Sequence, residues 1–588
     1  MRSEARREAV EALGARPSAD VLIVGGGING LSAFRDLALQ GIDVTLVERG
    51  DLAGATSAAS SRMIHGGLRY LEHGEFRLVR EAVEERNDLL RTAPHYVRPL
   101  PTTVPMRTAL TGLTAAPRRF LTGHGPRQRA PRGAALVALG LRMYDSYSGA
   151  GRKGGSPVPT HEFASHAEAL RQLPDLDPAT RYIATYYDAG VRAPERLGLE
   201  LALDAVAANP RARVATYVEA VGFRDGAVEL RDTLTATTVP FEARVVVNAS
   251  GPWTDLTNAA LGEPSRHMGG TKGSHIVVAN DALHEACRGR EIFFENEDGR
   301  IVLVYPQHGR VILGTTDIPA DPREPARCTD EEVDYFIELA ARVFPAIAVT
   351  RDQIVYRYAG IRPLPRSDGE DPGAIPRDYR LVWSSLGDGG TAALSLVGGK
   401  WTTFRALGEK VADEVLERLG ATRRSSTRGV AIGGGAGYPS EAEREDWVAD
   451  RLEGVPPHRA ATLLDRYGSR ATEVARAEVA RGTGWERARG TAPACQIADV
   501  ADVTRGEIAW IADHELVVHL ADVVLRRTTL AFEGRVTLRL LDELADIVGE
   551  RLGWSRRRRR AEVEAVCHEL EEAHGVVLRR ARVLARGR

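Results

Sequence analysis

The sequence predicts an α/β protein that joins a Rossmann-like dinucleotide-binding domain to an antiparallel-sheet domain and an all-α C-terminal domain. Three observations lead to this fold class. A strand, a glycine-rich turn, a helix and a second strand follow one another between residues 20 and 48. From 269 to 356, strands succeed one another without intervening helices, which is typical of an antiparallel sheet. Beyond residue 440, apolar residues recur at helical spacing.

The chain is long enough for several domains. Its 588 residues exceed what one hydrophobic core usually supports. We predict a leader over 1–19 and a cofactor domain assembled from 20–110, 181–265 and 357–420. An insertion over 111–180 would face the substrate or a membrane, and the antiparallel substrate domain would cover 266–356. A linker over 421–439 then leads to the helical domain at 440–588.

Composition argues against several classes of protein. Lys and Arg number 78 and Asp and Glu 80, and this net charge of −2 disfavours a general nucleic-acid binder. The four cysteines form no CxxC pair, and His514 and His519 do not share a helical face, so neither a disulfide framework nor a metal site is predicted. The first nineteen residues lack an apolar signal segment, and no run approaches the ~18 apolar residues that span a bilayer. We therefore expect a cytoplasmic protein, soluble or peripheral on the membrane face.

The glycine-rich turn follows a buried strand at residues 21–24 and opens a helix. Its first glycine permits the tight turn, its second lets the backbone approach a pyrophosphate, and its third lets helix and sheet pack closely. An acid closes the second strand, where it can accept a hydrogen bond from a ribose hydroxyl. An ordinary glycine turn is the alternative, but the strand before it and the helix after it favour dinucleotide binding. The predicted contacts are Gly25, Gly27, Asn29, Gly30 and Glu48.

A second loop, at residues 54–72, is small, rich in hydroxyl groups and punctuated by glycine, so it is suited to contact a ligand. It resembles the FAD-dependent glycerol-3-phosphate dehydrogenase family of the aerobic, quinone-linked type. Members of that family carry the same glycine motif, a Thr-Ser-rich loop and the run His-Gly-Gly-Leu-Arg-Tyr-Leu. The resemblance implies FAD as cofactor, with contacts from Thr56, Ser57, Ser60, Ser61, Gly66, Gly67 and Leu68.

Further motifs carry the same resemblance from about residue 20 to 419, and it weakens in the helical part. They lie at 248–253, 272–275, 314–317, 358–364, 377–379 and 398–405. The segment 192–195 departs from the family pattern, which leaves the neighbouring substrate or lid contacts open. By resemblance, the cofactor contacts extend to Ala249, Gly251, Trp253, Gly399, Lys400, Thr402 and Thr403. The helix that follows 398–405 would direct its positive end at the flavin and stabilise the charge that accumulates on reduction.

A phosphate ester needs several cationic donors, and arginine is favoured because its planar fork meets phosphate oxygens in two parallel hydrogen bonds. By resemblance, Arg69, Arg362 and Arg377 with Lys400 would form that cluster, beside Tyr70. Structural ion pairs are the alternative for any one of them. His65 is the candidate base for the hydroxyl proton, because a neutral imidazole is matched to pH 7. His275 is either a site residue or a polar strand residue satisfied by hydrogen bonds.

The predicted reaction is oxidation of sn-glycerol 3-phosphate to dihydroxyacetone phosphate, with the hydride passing to flavin N5 and the electrons to a quinone. One alternative is a related flavoprotein oxidase that reduces oxygen and acts on an amine or on glycerol 3-phosphate. Another is a flavin-bound protein whose main role is at a membrane or in a complex. Oligomeric state is left open, with a dimer as one option.

Two basic stretches bear on membrane contact. The prolines and arginines of 99–133 indicate a solvated loop or a membrane-surface patch. Five arginines at 556–560 would oppose the dipole of a helix that begins there, so that turn is expected to fray unless an anion docks. The run is either a solvated cluster or a site for anionic lipid headgroups.

Overall fold

The computed structural model describes residues 4–67, 76–109, 134–149, 157–296, 301–366, 378–388, 390–480, 496–497 and 499–578. The predicted site residues Leu68, Arg69, Tyr70 and Arg377 lie outside the described residues, as do Cys495 and the arginines between 110 and 133. None of the helices within the described ranges combines the length and the apolar character needed to cross a bilayer.

The first sheet is the predicted Rossmann-like layer. Its parallel strands run in the order β18-β10-β1-β2-β7, with β17 antiparallel at one edge and β8 and β9 extending β10 as an antiparallel meander. The strands are β1 (Ser18–Val24), β2 (Val44–Glu48), β7 (Arg213–Thr216), β8 (Val218–Arg224), β9 (Ala227–Asp232), β10 (Thr238–Asn248), β17 (Arg380–Leu386) and β18 (Thr391–Val397).

The second sheet has strand order β15-β11-β14-β13-β12-β4-β6-β3, with β16 beside β11 and β5 beside β6. Every pairing in it is antiparallel except that between β12 and β4. Its strands are β3 (Met63–Ile64), β4 (Val97–Met106), β5 (Glu162–Ser165), β6 (Tyr182–Val191), β11 (Met268–Val278), β12 (Glu291–Glu295), β13 (Ile301–Gln307), β14 (Arg310–Gly314), β15 (Ile318–Pro319) and β16 (Ile354–Pro365).

This pairing differs from the predicted division of the chain. The prediction placed β4, β6 and most of β16 in the cofactor domain, whereas all three are strands of the second sheet. The chain crosses between the two sheets several times, and a strand's apolar pattern does not say which neighbour it will pair with. The second sheet is therefore assembled from several separate segments rather than from 266–356 alone.

The helices are α1 (Glu4–Ala15), α2 (Ile28–Leu39), α3 (Phe76–Thr92), α4 (Ala134–Ser148), α5 (His166–Gln172), α6 (Pro194–Ala208), α7 (Thr254–Ala260), α8 (Asp281–Ala286), α9 (Asp330–Val343), α10 (Phe404–Leu419), α11 (Arg444–Arg451), α12 (Pro457–Tyr467), α13 (Ala471–Ala480), α14 (Arg505–His514), α15 (Leu538–Leu552) and α16 (Arg556–His574). Helix α2 packs between α6 and α10 on one face of the first sheet, and its apolar residues join the main core. Its burial fixes the position of the glycine turn that precedes it.

The C-terminal part is helical, as predicted, but it also contains a two-stranded ribbon of β19 (Gln496–Ile497) and β20 (Val500–Thr504). Apolar residues recur at helical spacing over 508–523, but this stretch is not one helix, because α14 ends at His514 and a π-helical turn covers Asp522–Arg527. The capping box of Ser440 and Glu443 is present, and the Thr504 side chain accepts a hydrogen bond from the Glu507 amide.

Helix α16 begins at the five arginines without the expected fraying. Ser555 caps it by accepting a hydrogen bond from the Arg558 amide at 3.2 Å. Two acidic residues of the same chain supply the opposing charge, since Arg558 pairs with Glu562 at 2.5 Å and Arg559 with Asp546 at 2.9 Å. The prediction overlooked these intramolecular anions, because Asp546 comes from the preceding helix.

Candidate functional site

A cavity of about 930 Å³ opens at the carboxyl ends of the parallel strands. Strands β1 and β10 end side by side, with Val24 paired to Asn248, so the turns that follow them face each other. This is the edge at which open α/β sheets bind ligands. The predicted site residues that line the cavity are Gly25, Gly27, Asn29, Glu48, Thr56, Ser57, Ser60, Ser61, His65, Ala249, Gly251, Trp253, Arg362, Gly399, Lys400 and Thr402.

The glycine turn is as tight as the sequence predicts. Gly25 has φ +115°, and a Cβ there would lie 2.6 Å from the carbonyl oxygen of Ala249. A Cβ on Gly30 would lie 2.1 Å from the Gly25 carbonyl oxygen, so that position holds the helix against the turn. A Cβ on Gly27 meets only Ser57 Oγ, at 3.4 Å. Gly27 therefore leaves space on the side of the cavity, where a phosphate group needs close access to backbone amides.

Glu48 closes β2 inside the cavity wall. Its Oε2 accepts a hydrogen bond from the Gly26 amide at 2.7 Å, and its Oε1 accepts one from the Gly50 amide at 2.9 Å. Burial raises the pKa of Glu48, and the two amides act in the opposite direction. Each oxygen retains a second lone pair that a ribose hydroxyl could use.

Asn29 provides a polar atom suited to a bound dinucleotide. Its Oδ1 is buried and accepts no hydrogen bond from the part of the chain that the structure describes. A buried polar atom without a partner is costly, so a ligand donor at this position would stabilise the site. Gly399, at φ +105°, lies so close that a Cβ there would be 2.4 Å from Asn29 Nδ2. With the open face of Gly27, these features fit a dinucleotide such as FAD.

The hydroxyl-rich loop is fixed to both sheets. Ser57 Oγ accepts a hydrogen bond from the Ile28 amide at 3.0 Å, at the start of α2. Thr56 Oγ1 donates to the Ile361 carbonyl at 2.8 Å, on β16 of the second sheet. The Trp401 indole donates to the Ser57 carbonyl at 3.0 Å. The described part of the loop therefore spans the junction between the sheets, and its residues that line the cavity lie between 54 and 65.

His275 and Arg362 lie at the second-sheet end of the cavity, on the adjacent strands β11 and β16. His275 is buried, and its Nε2 lies 2.8 Å from Ser61 Oγ. The ring stacks on Tyr358 at 4.7 Å. Burial lowers the pKa of His275 to about 3, and the positive charges of Arg362 and Arg62 act in the same direction. Burial therefore favours the neutral imidazole, and a role for His275 in the site stays a prediction.

Arg362 is oriented by the loop that follows β14. It donates to Asp317 Oδ1 at 3.0 Å, to Thr315 Oγ1 at 3.0 Å and to the Thr316 carbonyl at 2.8 Å. The guanidinium lies over Gly273, where a Cβ would be 2.2 Å from Nη2. Asp317 is a site residue whose role the sequence analysis did not state, although its motif at 314–317 was identified. Its carboxylate fixes the guanidinium in the cavity wall.

His65, in the loop at 54–72, and Lys400, in the turn at 398–402, also line the cavity. The Thr402 hydroxyl donates to the His65 carbonyl at 3.3 Å. Below this point, Arg405 at the start of α10 forms a bidentate pair with buried Glu85 of α3, at 2.6 and 2.7 Å. The pair therefore connects the turn at 398–402 to α3, the helix that follows the loop at 54–72 in the chain.

Four predicted contacts do not line this cavity: Gly30, Gly66, Gly67 and Thr403. Gly30 serves packing, as described above. The Gly66 amide donates to Asp188 Oδ1 at 2.9 Å and to the Tyr144 hydroxyl at 3.1 Å, so its backbone is committed to a buried network. Thr403 lies at the start of α10. Contacts from these residues to a cofactor stay predictions.

The segment 192–195 lies beside the helical domain, with Arg192 Nη1 4.0 Å from Asp465 Oδ2. Glu195 pairs with Arg62 at 2.8 Å, and both side chains are buried. The neighbouring Arg196 forms two hydrogen bonds with Glu515 of the helical domain, at 2.6 and 2.9 Å. The departure from the family pattern therefore falls at a domain interface.

The described cysteines, Cys287, Cys328 and Cys567, are free thiols. Within the described ranges, no group of three or more His, Cys, Asp or Glu side chains could hold a metal ion.

Comparison with known proteins adds to this geometry. Residues 20–405 match the FAD-dependent oxidoreductase family, and 425–559 match the C-terminal domain of alpha-glycerophosphate oxidase. The glycerol-3-phosphate dehydrogenase of Synechocystis sp. is 32% identical over 87% of this chain and 89% of that protein. The aerobic glycerol-3-phosphate dehydrogenase of Escherichia coli is 32% identical over 87% of this chain and 93% of that protein.

Two further comparisons bear on substrate and fold. The D-erythritol 1-phosphate dehydrogenase of Brucella abortus is 34% identical over 76% of this chain and 83% of that protein. The crystal structure of the glycerol-3-phosphate dehydrogenase from Bacillus halodurans complexed with FAD aligns with a TM-score of 0.71 at 22% identity, over 97% of this chain and 98% of that chain. At that identity, the structural likeness shows the shared fold.

Proposed function

Because this chain belongs to the FAD-dependent glycerol-3-phosphate dehydrogenase family and uses FAD, we propose that it oxidises sn-glycerol 3-phosphate to dihydroxyacetone phosphate. One observation carries the proposal: a single cavity joins a dinucleotide cradle at the glycine turn to a cationic end that holds Arg362, Lys400 and two histidines. The first part suits a cofactor, and the second suits a small phosphate ester.

At the cationic end, Arg362 would hold the phosphate. Asp317 and the Thr315 hydroxyl fix its guanidinium, so less side-chain freedom is lost when an anion binds. Lys400, from the turn after β18, supplies a second positive charge on the cavity wall. Arg69 and Arg377 complete this proposed cluster from outside the described residues.

His65 and His275 would handle the substrate hydroxyl. We assign to His65 the role of accepting the proton of the substrate hydroxyl, because His65 lines the cavity, as Lys400 does, and because an imidazole can accept a proton near pH 7. His275 remains neutral next to Arg362 and would orient the substrate by hydrogen bonding through the ring nitrogen that Ser61 does not occupy. When bound, FAD supplies the redox chemistry by accepting a hydride from C2 of the substrate at its N5.

A direct test compares substrates. With an artificial electron acceptor, kcat/KM for sn-glycerol 3-phosphate should exceed that for glycerol by at least about 10³-fold, because glycerol leaves the cationic end without its anion. Equal rates with glycerol would contradict the assignment of this end to phosphate.

A longer polyol phosphate is the second candidate substrate, favoured by the 34% identity to the D-erythritol 1-phosphate dehydrogenase of Brucella abortus. The same assay with D-erythritol 1-phosphate separates the two. Glycerol 3-phosphate is the substrate if its kcat/KM is the higher, and the longer ester is the substrate if the order is reversed.

We propose a quinone as electron acceptor, in line with the resemblance to the aerobic, quinone-linked type. The match of 425–559 to a glycerophosphate oxidase domain keeps oxygen as the alternative. Turnover in air with glycerol 3-phosphate should release little hydrogen peroxide, and addition of a soluble quinone should raise the rate. Stoichiometric peroxide would make the protein an oxidase.

Peripheral contact with anionic membranes is proposed for the exposed arginines at the start of α16. Arg556, Arg557 and Arg560 are exposed, whereas Arg558 and Arg559 have acidic partners. Each exposed arginine near an anionic surface contributes about 1 kcal/mol. Replacing these three with Gln should reduce co-flotation with anionic vesicles while FAD content is retained, and unchanged co-flotation would exclude this surface.

A further inference from the structure

The C-terminal domain forms one wall of the cofactor cavity. His519 and Ala521 lie just before the π-helical turn, and Arg526 lies within it. Helix α16 contributes Glu562, Ala565 and Glu569 to the same wall. All six residues come from a domain that the glycine motif and the second loop do not require. They lie at one end of the cavity, and the order of the strands shows which end this is.

The order of strands places this wall at the adenosine end. Proceeding from β18 to β10, β1, β2 and β7, the cavity is lined first by the turn at 398–402, then by the glycine turn, then by Glu48 and finally by Tyr217. Gly27, where a phosphate group would approach the backbone, lies in the middle of this row, and the cationic end lies next to the turn at 398–402. Glu48, the proposed ribose contact, and Tyr217 lie on the opposite side, and the helical domain covers that side.

A buried latch holds the two domains together here. Asp51, three residues after Glu48, accepts hydrogen bonds from Arg527 at 2.6 and 2.7 Å and from Arg526 at 2.5 Å. Burial alone would raise the pKa of Asp51, but the charges of Arg527 and Arg526 outweigh it and hold that pKa below its usual range. Breaking a buried pair of this kind is strongly destabilising.

A second contact lies beside the latch. The Tyr217 hydroxyl donates to Asp522 Oδ1 at 2.6 Å, and the His519 ring meets the Tyr217 ring edge-on at 4.8 Å. His519 Nδ1 in turn lies 3.0 Å from Glu562 of α16. The contacts therefore run continuously from the end of β7 through the π-helical turn to α16.

From this arrangement we propose that the helical domain is part of the FAD site: it closes the adenosine end of the cavity, and the latch of Asp51 with Arg526 and Arg527 retains the cofactor. FAD then exchanges only when this interface opens. The inference concerns cofactor retention and is independent of the substrate and the electron acceptor.

The first test fills the cavity from the C-terminal side. Ala565 is an exposed position of α16 that lines the cavity, so A565W can be introduced without disturbing a core. Its neighbour Glu564 is also exposed but does not line the cavity, which makes E564W the matched control. FAD release is followed on diluted holoenzyme by the rise in free-flavin fluorescence.

A565W should release FAD at least about tenfold faster than the wild type, or purify with substoichiometric FAD, because the indole occupies space needed at the adenosine end. E564W should release FAD at the wild-type rate. Equal retention in both variants would overturn the proposal, as would equal loss from both.

The second test opens the latch without touching the cavity. Arg527 does not line the cavity, so R527M removes its two bonds to Asp51 and leaves the lining side chains in place. R551M is the control for loss of an ion pair within the helical domain, because Arg551 forms a bidentate but more exposed pair with Asp513 at 2.9 Å and neither residue lines the cavity. We expect about tenfold faster FAD release from R527M and no change in R551M. Unchanged release from R527M would refute the latch.

Discussion

Single residues in this molecule divide into those that shape the cofactor cradle and those that carry charge at its far end. Gly25 and Gly30 are required by the backbone itself, because a Cβ at either would overlap a carbonyl oxygen. Gly27 differs because a Cβ there has space and would point toward the ligand. Arg362 and His275 are held by partners in neighbouring loops, Asp317 and Ser61 respectively.

Gly27→Val should yield a folded apoprotein. The valine methyl groups would occupy the space through which a pyrophosphate reaches the backbone amides, while the turn itself is preserved. Flavin absorbance after purification measures the outcome, and Gly30→Ala is the comparison. That substitution should reduce the yield of folded protein, because its Cβ would lie 2.1 Å from the Gly25 carbonyl oxygen. A yellow, stoichiometric G27V holoenzyme would contradict the pyrophosphate assignment.

The Arg362→Ala variant should retain FAD, but glycerol 3-phosphate should reduce that FAD poorly. Removing one partner of a buried charged contact costs about 2–5 kcal/mol, which corresponds to a loss of roughly 30-fold or more in kcat/KM for glycerol 3-phosphate. Arg357→Ala on the same strand is the control, because Arg357 pairs with Asp330 at 2.7 Å and does not line the cavity. If R362A loses its flavin on purification, Arg362 is a cofactor or folding residue instead.

Glu291 provides a pH prediction. Burial raises its pKa to about 8, and nearby Asp188 adds to the shift. Between pH 4.5 and 8, the folded protein holds a proton on Glu291 that the unfolded chain has lost, so this residue's contribution to stability falls as pH rises through that window. Glu291→Gln keeps a neutral side chain and removes the effect.

The measurement is the unfolding temperature of wild type and E291Q at pH 6 and pH 8. The wild type should lose more stability over this interval, by about 1.4 kcal/mol per pH unit relative to the variant. Parallel pH profiles would show that Glu291 is ionised in the folded protein.

At the scale of elements, the site depends on where strands and helices end. The carboxyl ends of β1, β2 and β10 bring the glycine turn, Glu48 and the turn at 249–253 to one edge. The adjacent strands β11 and β16 bring His275 and Arg362 to the same cavity from the second sheet. The start of α10 is held against α3 by Arg405 and Glu85.

Glu85→Ala should destabilise the protein by about 3–5 kcal/mol, because it leaves the buried Arg405 guanidinium without its bidentate partner. The exposed Arg80 pairs with the adjacent Glu84 at 3.0 Å, so Glu84→Ala should cost no more than about 1 kcal/mol. Thermal unfolding of the two variants measures the difference. Equal unfolding temperatures would mean that the pair does not hold the turn at 398–402 in place.

The sequence predicted best those elements whose signals are local. The glycine turn, its flanking strands and the helix that the turn opens follow from spacing within a few residues, and the structure confirms them. Strands between 269 and 314 were recognised, but the helices α8 and α9 within 269–356 were not, and neither was the pairing of β4, β6 and β16 with these strands, because pairing is decided by partners far along the chain. The contribution of Asp317 to the site depends on a partner 45 residues away.

At the scale of the whole molecule, the Rossmann-like domain, the antiparallel-sheet domain and the helical domain all line one cavity. The latch between Asp51 and Arg527 joins residues 476 apart in the chain, and no local pattern signals such a contact. The altered segment at 192–195 left the neighbouring substrate or lid contacts open, and it adjoins Arg196, which pairs with Glu515 of the helical domain. Sequence reasoning therefore identified the cofactor and the reaction class but not how the domains enclose them.

In the proposed function, one cavity holds both FAD and a phosphorylated alcohol. The most direct measurement is the visible spectrum of the purified holoenzyme, recorded under anaerobic conditions during addition of sn-glycerol 3-phosphate without an electron acceptor. We expect the absorbance of oxidised FAD to bleach with a stoichiometry of one substrate per flavin, and glycerol at the same concentration to leave it unchanged. Flavin that stays oxidised in the presence of excess sn-glycerol 3-phosphate would contradict the central claim.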